Sequence, residues 1–290
     1  MIETKAVSIR RQKRKKRRSR LRLGILIFLA LLLLLTAGFA RQLCPFDPNA
    51  QIFDPLLPPD PGHLCGTDRY GRDLFSRILI GLRTSVFSTL ALVAIITITG
   101  TALGVACGFL GGFADSLIMR LSDICLAFPG LVFALAIAAL LNGGLQNAVL
   151  SLAVISWPRY ARIARSQTLA VRQTDYINAA LLAGETGVQI IFRHILPNIL
   201  GPILVTATLD IGTMMMELAG LSFLGLGAQP PTAELGNMMS GGRSMLQIYP
   251  WVVLSPGLAI LTAVVIFNLL GDGLRDYLDP RNSFKSPSIL

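Results

Sequence analysis

Charge is what this sequence most lacks. Only 14% of its 290 residues are Asp, Glu, Lys or Arg, where soluble domains carry roughly 25%. Hydrophobic residues make up 53% and the mean hydropathy is +0.62, which excludes the soluble globular class and points to a membrane protein. Lysine is scarcer still, with none between Lys16 and Lys285. A phosphate-binding loop needs Gly-Lys-Ser/Thr, so the chain does not hydrolyse ATP through that motif. The stretch LSFLGLG (221–227) is glycine-rich but lies in an apolar run, where phosphate would not go. Histidine is limited to His63 and His194, expected on opposite sides of a membrane. There is no HExxH and no Ser-His pair with a common site. No catalytic residue, resident metal or cofactor is therefore expected, and an intramembrane enzyme or an inert scaffold is disfavoured.

The charge that is present is unevenly placed. Residues 1–22 hold 11 of the 26 Lys and Arg and a single acid, Glu3, which gives the tail the whole net charge of +10. The remaining 15 basic and 15 acidic residues cancel. Such a tail suggests nucleic acid, but it has no aromatic interleaving and no folded basic domain. Abutting an apolar run, it is a positive-inside signal and an attraction for anionic lipid headgroups. The site after Ala40 is a poor small-x-small cleavage point, so a retained anchor is expected.

Six runs approach the roughly 20 residues that span a bilayer: 23–40, 84–110, 117–141, 146–166, 199–224 and 251–271. With the N-terminus inside, the C-terminus is inside too, and the island 167–198 is cytoplasmic. The cluster Arg159, Arg162, Arg165, Arg172 and Arg193 agrees with that side. Segment 41–64 is rich in Pro and expected to be extended. From Gly66, the spacing of Leu74, Phe75, Ile78, Leu79 and Leu82 opposite Arg72, Asp73 and Arg77 predicts an amphipathic interfacial helix, capped at Thr67 or Asp68. Cys44 and Cys65 flank the Pro-rich loop; a disulfide is one reading and a metal site with His63 a weaker one. Cys107 and Cys125 read as buried small hydrophobes. Gly100, Gly104 and Gly108, each four apart, predict close helix packing.

Ionisable residues inside spans call for a role. Asp210 and Glu217 lie seven apart on one helix face, with Met214, Met215 and Met216 between them. Two readings stay open: a polar translocation path formed by Asp210, Met214 and Glu217, or pairing with Arg on neighbouring helices. Asp123 is expected to pair with Arg120, three residues earlier. Asp272, Arg275 and Asp276 are expected to be solvated.

The most patterned stretch is Thr174–Asn198, TDYINAALLAGETGVQIIFRHILPN. It reads as a helix over 176–182, a turn at Gly184, and a second helix over 188–196 stopped by Pro197. It resembles the cytoplasmic coupling loop of bacterial ABC-importer permeases, whose pattern is Glu-Ala-Ala, three residues, Gly, nine residues, Ile, one residue, Leu-Pro. Ala179, Ala180, Gly184, Leu196 and Pro197 fit; Asn178 stands where Glu is usual and His194 where Ile is. The stretches GTDRYGRDLFSR (66–77), GGFADSLIMRLSDICLAFPG (111–130), LSFLGLGAQPP (221–231) and FNLLGDGLRDYLDPR (267–281) are similar to the dipeptide/oligopeptide/nickel branch, in the same order.

The resemblance implies an all-α, polytopic type I permease fold with six transmembrane helices. In it a basic tail (1–22) and first span (23–40) precede an outer loop with interfacial helix (41–82), a five-helix core (83–272) and a cytoplasmic tail (273–290). It implies a second, homologous permease chain in a heterodimer, two ATP-binding subunits that carry the ATP, and an extracytoplasmic solute-binding protein, at a bacterial inner membrane. The expected ATPase-docking residues are Asn178, Ala179, Ala180, Gly184, His194, Leu196 and Pro197. The substrate class is short peptides or nickel, the three methionines pointing weakly to metal. The competing reading is an ion-coupled secondary transporter using Asp210 and Glu217.

Overall fold

The computed structural model describes residues 2–278, with side chains described from Arg20 onward. Among these residues there is no β-strand. The elements in order are α1 (Ile2–Gly38), α2 (Ala40–Leu43), α3 (Leu74–Leu110), α4 (Gly112–Ala127), α5 (Gly130–Leu140), α6 (Leu145–Arg172), α7 (Asp175–Leu182) and α8 (Gly187–Ile190). After a π-helical turn at Ile191–Ile195 come α9 (Leu196–Phe223), α10 (Leu235–Gly242) and α11 (Trp251–Leu278). The expected C-terminal tail, 273–290, lies largely outside the described residues.

Among the described residues, four helical stretches are long and apolar enough to cross a membrane: Arg20–Gly38, Leu74–Leu110, Gly187–Phe223 and Trp251–Leu278. The span expected at 117–141 is not one helix. It is divided between α4 and α5, which meet at 95° and together make up to a fifth span. The cause is Pro129. Its ring pushes the preceding residue out of helical geometry, and Phe128 is extended at φ −103°, ψ 150°. The helix expected at 146–166 is present as α6, 28 residues long. It is absent from the apolar spans because Arg159, Arg162 and Arg165 depress the hydropathy of its second half.

The centre of the bundle is the α3–α6 pair, the most extensive helix contact among the described residues. In a bilayer, lipid tails are as apolar as leucine, so helices associate through close packing rather than exclusion of water. The glycine repeat supplies that closeness. A Cβ at Gly100 would fall 2.5 Å from the Trp157 carbonyl oxygen, and one at Gly108 would fall 2.8 Å from Thr168 Cβ. Around this seam Leu92, Ile96, Leu152, Tyr160, Ile199 and Leu218 form one buried cluster. A second joins α1, α3, α10 and α11 through Leu33, Leu74, Leu235, Ile260 and Phe267.

At one end of the bundle, residues 44–73 form an irregular cap with no helix, as the prolines lead one to expect. The polar residues at its junction with α3 are buried rather than solvated. His63, Asp68, Arg72, Asp73 and Arg77 are all under a tenth exposed. Arg72 Nε donates to Asp68 Oδ2 at 2.7 Å, and Arg77 Nε lies 3.5 Å from the same oxygen. Arg77 also donates to the Pro48 carbonyl at 3.0 Å. The helix expected from Leu74 to Leu82 is present as the first part of α3, but its cap is not Thr67 or Asp68 and its polar face is buried rather than at an interface. The cap residue is Asp73, whose carboxylate accepts from Ser76 N at 2.8 Å, and α3 runs unbroken from there to Leu110. The other carboxylate oxygen, Oδ1, lies 2.9 Å from His63 Nδ1.

The disulfide reading is also corrected: Cys44 and Cys65 are free. The Cys44 thiol donates to the Ala40 carbonyl at 3.0 Å. Burial, with Asp73 and Asp47 nearby, pushes that thiol's pKa up; burial does the same to Cys65. Their expected metal partner His63 is committed to Asp73 instead. Cys107 is buried as expected, while Cys125 is only half-buried.

Candidate functional site

At the opposite end of the bundle, Thr174–Asn198 folds into a compact knob between α6 and α9. The first helix, α7, starts at Asp175 behind Thr174, one residue before the expected start, and ends at Leu182 as expected. Gly184 then takes φ +84°, in the left-handed region that glycine enters without penalty. Open space surrounds it, so backbone angle rather than crowding sets the requirement. A capping box opens α8: Gln189 N donates to Thr186 Oγ1 at 3.4 Å, and Thr186 N donates to Gln189 Oε1 at 2.7 Å.

Pro197 does not stop the second helix. The residues from Gly187 to Phe223 form one continuous helical stretch. Pro197 sits at the junction between the π-turn and α9. The π-turn at Ile191–Ile195 precedes it and widens the backbone just before the proline ring. This turn also aims His194 back across the loop, with Nε2 2.8 Å from Glu185 Oε2. Arg193 Nη1 approaches the same carboxylate at 3.6 Å. Asn198 Nδ2 ties the two halves together, donating to the Tyr176 hydroxyl at 3.0 Å and the His194 carbonyl at 2.7 Å.

The expected docking residues divide by position. Asn178, Ala179, Gly184 and Pro197 are exposed, Ala180 and His194 are half-buried, and Leu196 packs against the core. The missing charge at Asn178 leaves no gap in the knob's own bonding, because Glu185 holds the loop. Around these residues the surface is apolar. Leu182 is 90% exposed and Phe192 68%, with Leu181 and Val188 also outside. An exposed apolar patch of this kind marks a surface that meets another protein or the membrane. Glu185 and the four apolar positions were not singled out in the sequence; the signal for the latter was their place on the outward side of a loop already suspected of docking.

Three arginines on α6, at positions 159, 162 and 165, each reach a different carboxylate. Arg159 Nη1 donates to Asp210 Oδ1 at 2.6 Å, and the Tyr160 hydroxyl donates to Asp210 Oδ2 at 2.8 Å. Arg162 pairs with Asp123. Arg165 makes a two-pronged bond to Asp115, at 2.5 Å and 2.6 Å. The pairing expected between Asp123 and Arg120 gives way to Arg162, because α4 lies along α6 and brings the longer-range partner closer. Asp272, Arg275 and Asp276 are exposed, as expected.

Between the two readings kept for Asp210 and Glu217, the structure divides the pair. Asp210 is only 2% exposed and is held by Arg159 and Tyr160. Met214 and Met215 are buried, each in a different core cluster, while Met216 is exposed, so the three methionines do not share one face. Glu217 is different. It is half-buried and makes no hydrogen bond or ion pair among the described residues.

Among the described residues the chain is an all-helical bundle with apolar helices long enough to cross a membrane and a knob that exposes apolar side chains at one end. The comparisons agree. Residues 100–284 match the model of the family described as binding-protein-dependent transport system inner membrane component, and the chain belongs to that family. Over 244 residues, 84% of this chain and 82% of the other, it is 47% identical to the probable D,D-dipeptide transport system permease protein DdpC of Escherichia coli (strain K12). It is 43% identical over 249 residues to the dipeptide transport system permease protein DppC of Haemophilus influenzae, covering 83% of this chain and 84% of that one. The glutathione transport system permease protein GsiD of Pectobacterium atrosepticum is 44% identical over 247 residues, 84% of this chain and 82% of that one. Among solved structures, an inward-facing form of the MetNI methionine ABC transporter aligns with TM-score 0.51 and 22% identity, over 67% of this chain and 95% of that one; this likeness concerns the fold.

The chain is thus a multi-pass inner-membrane permease of the ABC-importer type, in the dipeptide/oligopeptide branch. It is the permease component and not the ATPase, and systems of its family work with an ATPase and a substrate-binding protein. The secondary-transporter alternative falls on that membership.

Proposed function

We propose that this permease carries short peptides inward, paired with a second, homologous permease chain and driven by two ATP-binding subunits through the knob 174–198. The observation that carries the coupling reading is the knob itself. Glu185, Arg193 and His194 hold the knob together, while Leu181, Leu182, Val188 and Phe192 face outward. A knob rigid in itself and apolar outside transmits a push from a partner's cleft without deforming. The basic tail and the arginine cluster support a cytoplasmic N-terminus and knob. The cap 44–73 then faces the solute-binding protein, and ATP is held by the partner subunits alone.

Peptide rather than nickel is supported by the relatives, which are named for dipeptides and glutathione. In a strain lacking this gene, labelled dialanine and nickel uptake would be compared with and without the chain restored. Restored dialanine uptake that follows cellular ATP supports the proposal. Restored nickel uptake alone would overturn its substrate half.

A further inference from the structure

A groove of about 440 Å³ runs along the spanning part of the bundle, beside the knob. One wall is α3 between Thr97 and Ala106; the other is the π-turn and the start of α9, between Ile191 and Leu204. Apart from Thr97 and Thr101, every residue along it is apolar. From 97 to 106 the helix rises about 14 Å, so a volume of about 440 Å³ over that length is about 6 Å across. An α-helix with its side chains is about 10–12 Å across, too wide to seat there, whereas a single hydrocarbon chain fits. An unfilled groove would lose packing contacts along both walls, and lipid tails are the apolar material a bilayer supplies.

The end of the groove nearest the knob carries a cation. Phe109 lies one turn beyond Val105 and Ala106 on α3, and a Cβ at Gly187, one turn before Ile191, would fall 2.9 Å from its ring. The two walls close at this point. Arg172, the last residue of α6, holds its guanidinium 5.5 Å from the centre of the same ring. It is exposed and makes no ion pair among the described residues. Arg193, next to the lining residue Phe192, is already committed to Glu185. Stacking on Phe109 holds the Arg172 plane and leaves its N–H edge open, the geometry that receives a phosphate.

We propose that the groove holds one acyl chain of an anionic phospholipid from the cytoplasmic leaflet, with the headgroup phosphate on Arg172. The two parts of the lipid are read separately. The apolar walls take the chain, and Arg172 selects a headgroup of net negative charge. Bound there, the lipid fills the space between α3 and α9 directly beside the knob. The inference rests on the cytoplasmic placement of the knob proposed above, because that leaflet surface attracts basic residues through its anionic lipids.

The test uses the whole importer in vesicles of equal parts phosphatidylglycerol and phosphatidylcholine. Leu200, on the groove wall and 44% exposed, is replaced by the photocrosslinker benzoylphenylalanine, and the adducts are identified by mass spectrometry. Phosphatidylglycerol adducts should outnumber phosphatidylcholine adducts about fivefold, the preference one arginine supplies at a membrane surface. Arg172→Gln should bring the two within about twofold of each other. Equal adducts before that substitution, or a preference that survives it, would overturn the headgroup site. Adducts to the second permease chain in place of lipid would show protein in the groove and overturn the proposal outright. The cytoplasmic placement is checked apart from the lipid. Asn178→Cys should react with a membrane-impermeant maleimide only once spheroplasts are opened, and labelling of intact spheroplasts would overturn that placement instead.

Discussion

The two ends of the bundle are both polar in sequence, yet they handle charge in opposite ways. The cap end buries it: Asp68, Arg72, Asp73, Arg77 and His63 form a closed cluster beneath the Pro-rich loop. The knob end leaves its few charges half-open and pairs them across a single turn, while it exposes Leu181, Leu182, Val188 and Phe192. A buried ionic cluster is costly to break because each lost partner leaves a charge without solvent. Exposed leucines, by contrast, add nothing to the fold of the isolated chain. The difference separates an end that fixes the architecture from an end that presents a surface.

That comparison is sharpest under mutation. Asp73→Ala removes the α3 cap and orphans His63 and Ser76, and about 3 kcal/mol of stability should be lost, read as a fall in thermal midpoint in detergent. An unchanged midpoint would show that the cap is not the rigid end. Next in size is the α3–α6 seam. Gly104→Leu drives a side chain into Ala161 and Ala164 and should cost about 2 kcal/mol, with a comparable fall in folded yield. At the knob, Leu182→Asp should change stability by no more than about 0.5 kcal/mol. The same variant should weaken association with the ATPase subunit at least about tenfold, the scale of a lost hot-spot side chain. A loss of stability there with association intact would reverse the roles of the two ends. The smallest effect is at Cys44. Because its pKa is raised, less thiolate is present at pH 8 than for an ordinary cysteine. Maleimide labelling should be slow at pH 8 and quicken as pH rises; no labelling even after denaturation without reductant would mean a disulfide after all.

What the sequence revealed and what it hid follow physical lines. Gly100, Gly104 and Gly108 were legible because small residues four apart have few other uses in a span, and Gly184 was legible because a turn between two helical patterns needs one. The partners of Asp210, Asp123 and Asp115 were not, since each pairs with an α6 arginine some 40 to 50 positions away. Local spacing favoured Arg120 for Asp123, and only the docking of α4 on α6 decided otherwise. Pro197 misled because a proline after an apolar helix usually ends it, whereas the π-turn before it lets the helix continue. Pro129 misled in the other direction: hydropathy runs smoothly from 117 to 141, but the backbone bends there by 95°. The amphipathic pattern at 66–83 was real, yet its polar face meets the chain's own Pro-rich loop instead of a headgroup layer.

The proposed drive through the knob stands or falls on Gly184. Its φ of +84° is strained for any β-branched residue by about 1–3 kcal/mol, so Gly184→Val should re-aim α7 against α8 while leaving the bundle intact. The decisive measurement is co-purification of the ATPase subunits with this permease, together with ATP hydrolysis stimulated by the peptide-loaded binding protein. Gly184→Val should lose most of both, while wild type keeps them. Retention of both at wild-type levels would contradict the claim that the knob is where the ATP cycle is felt.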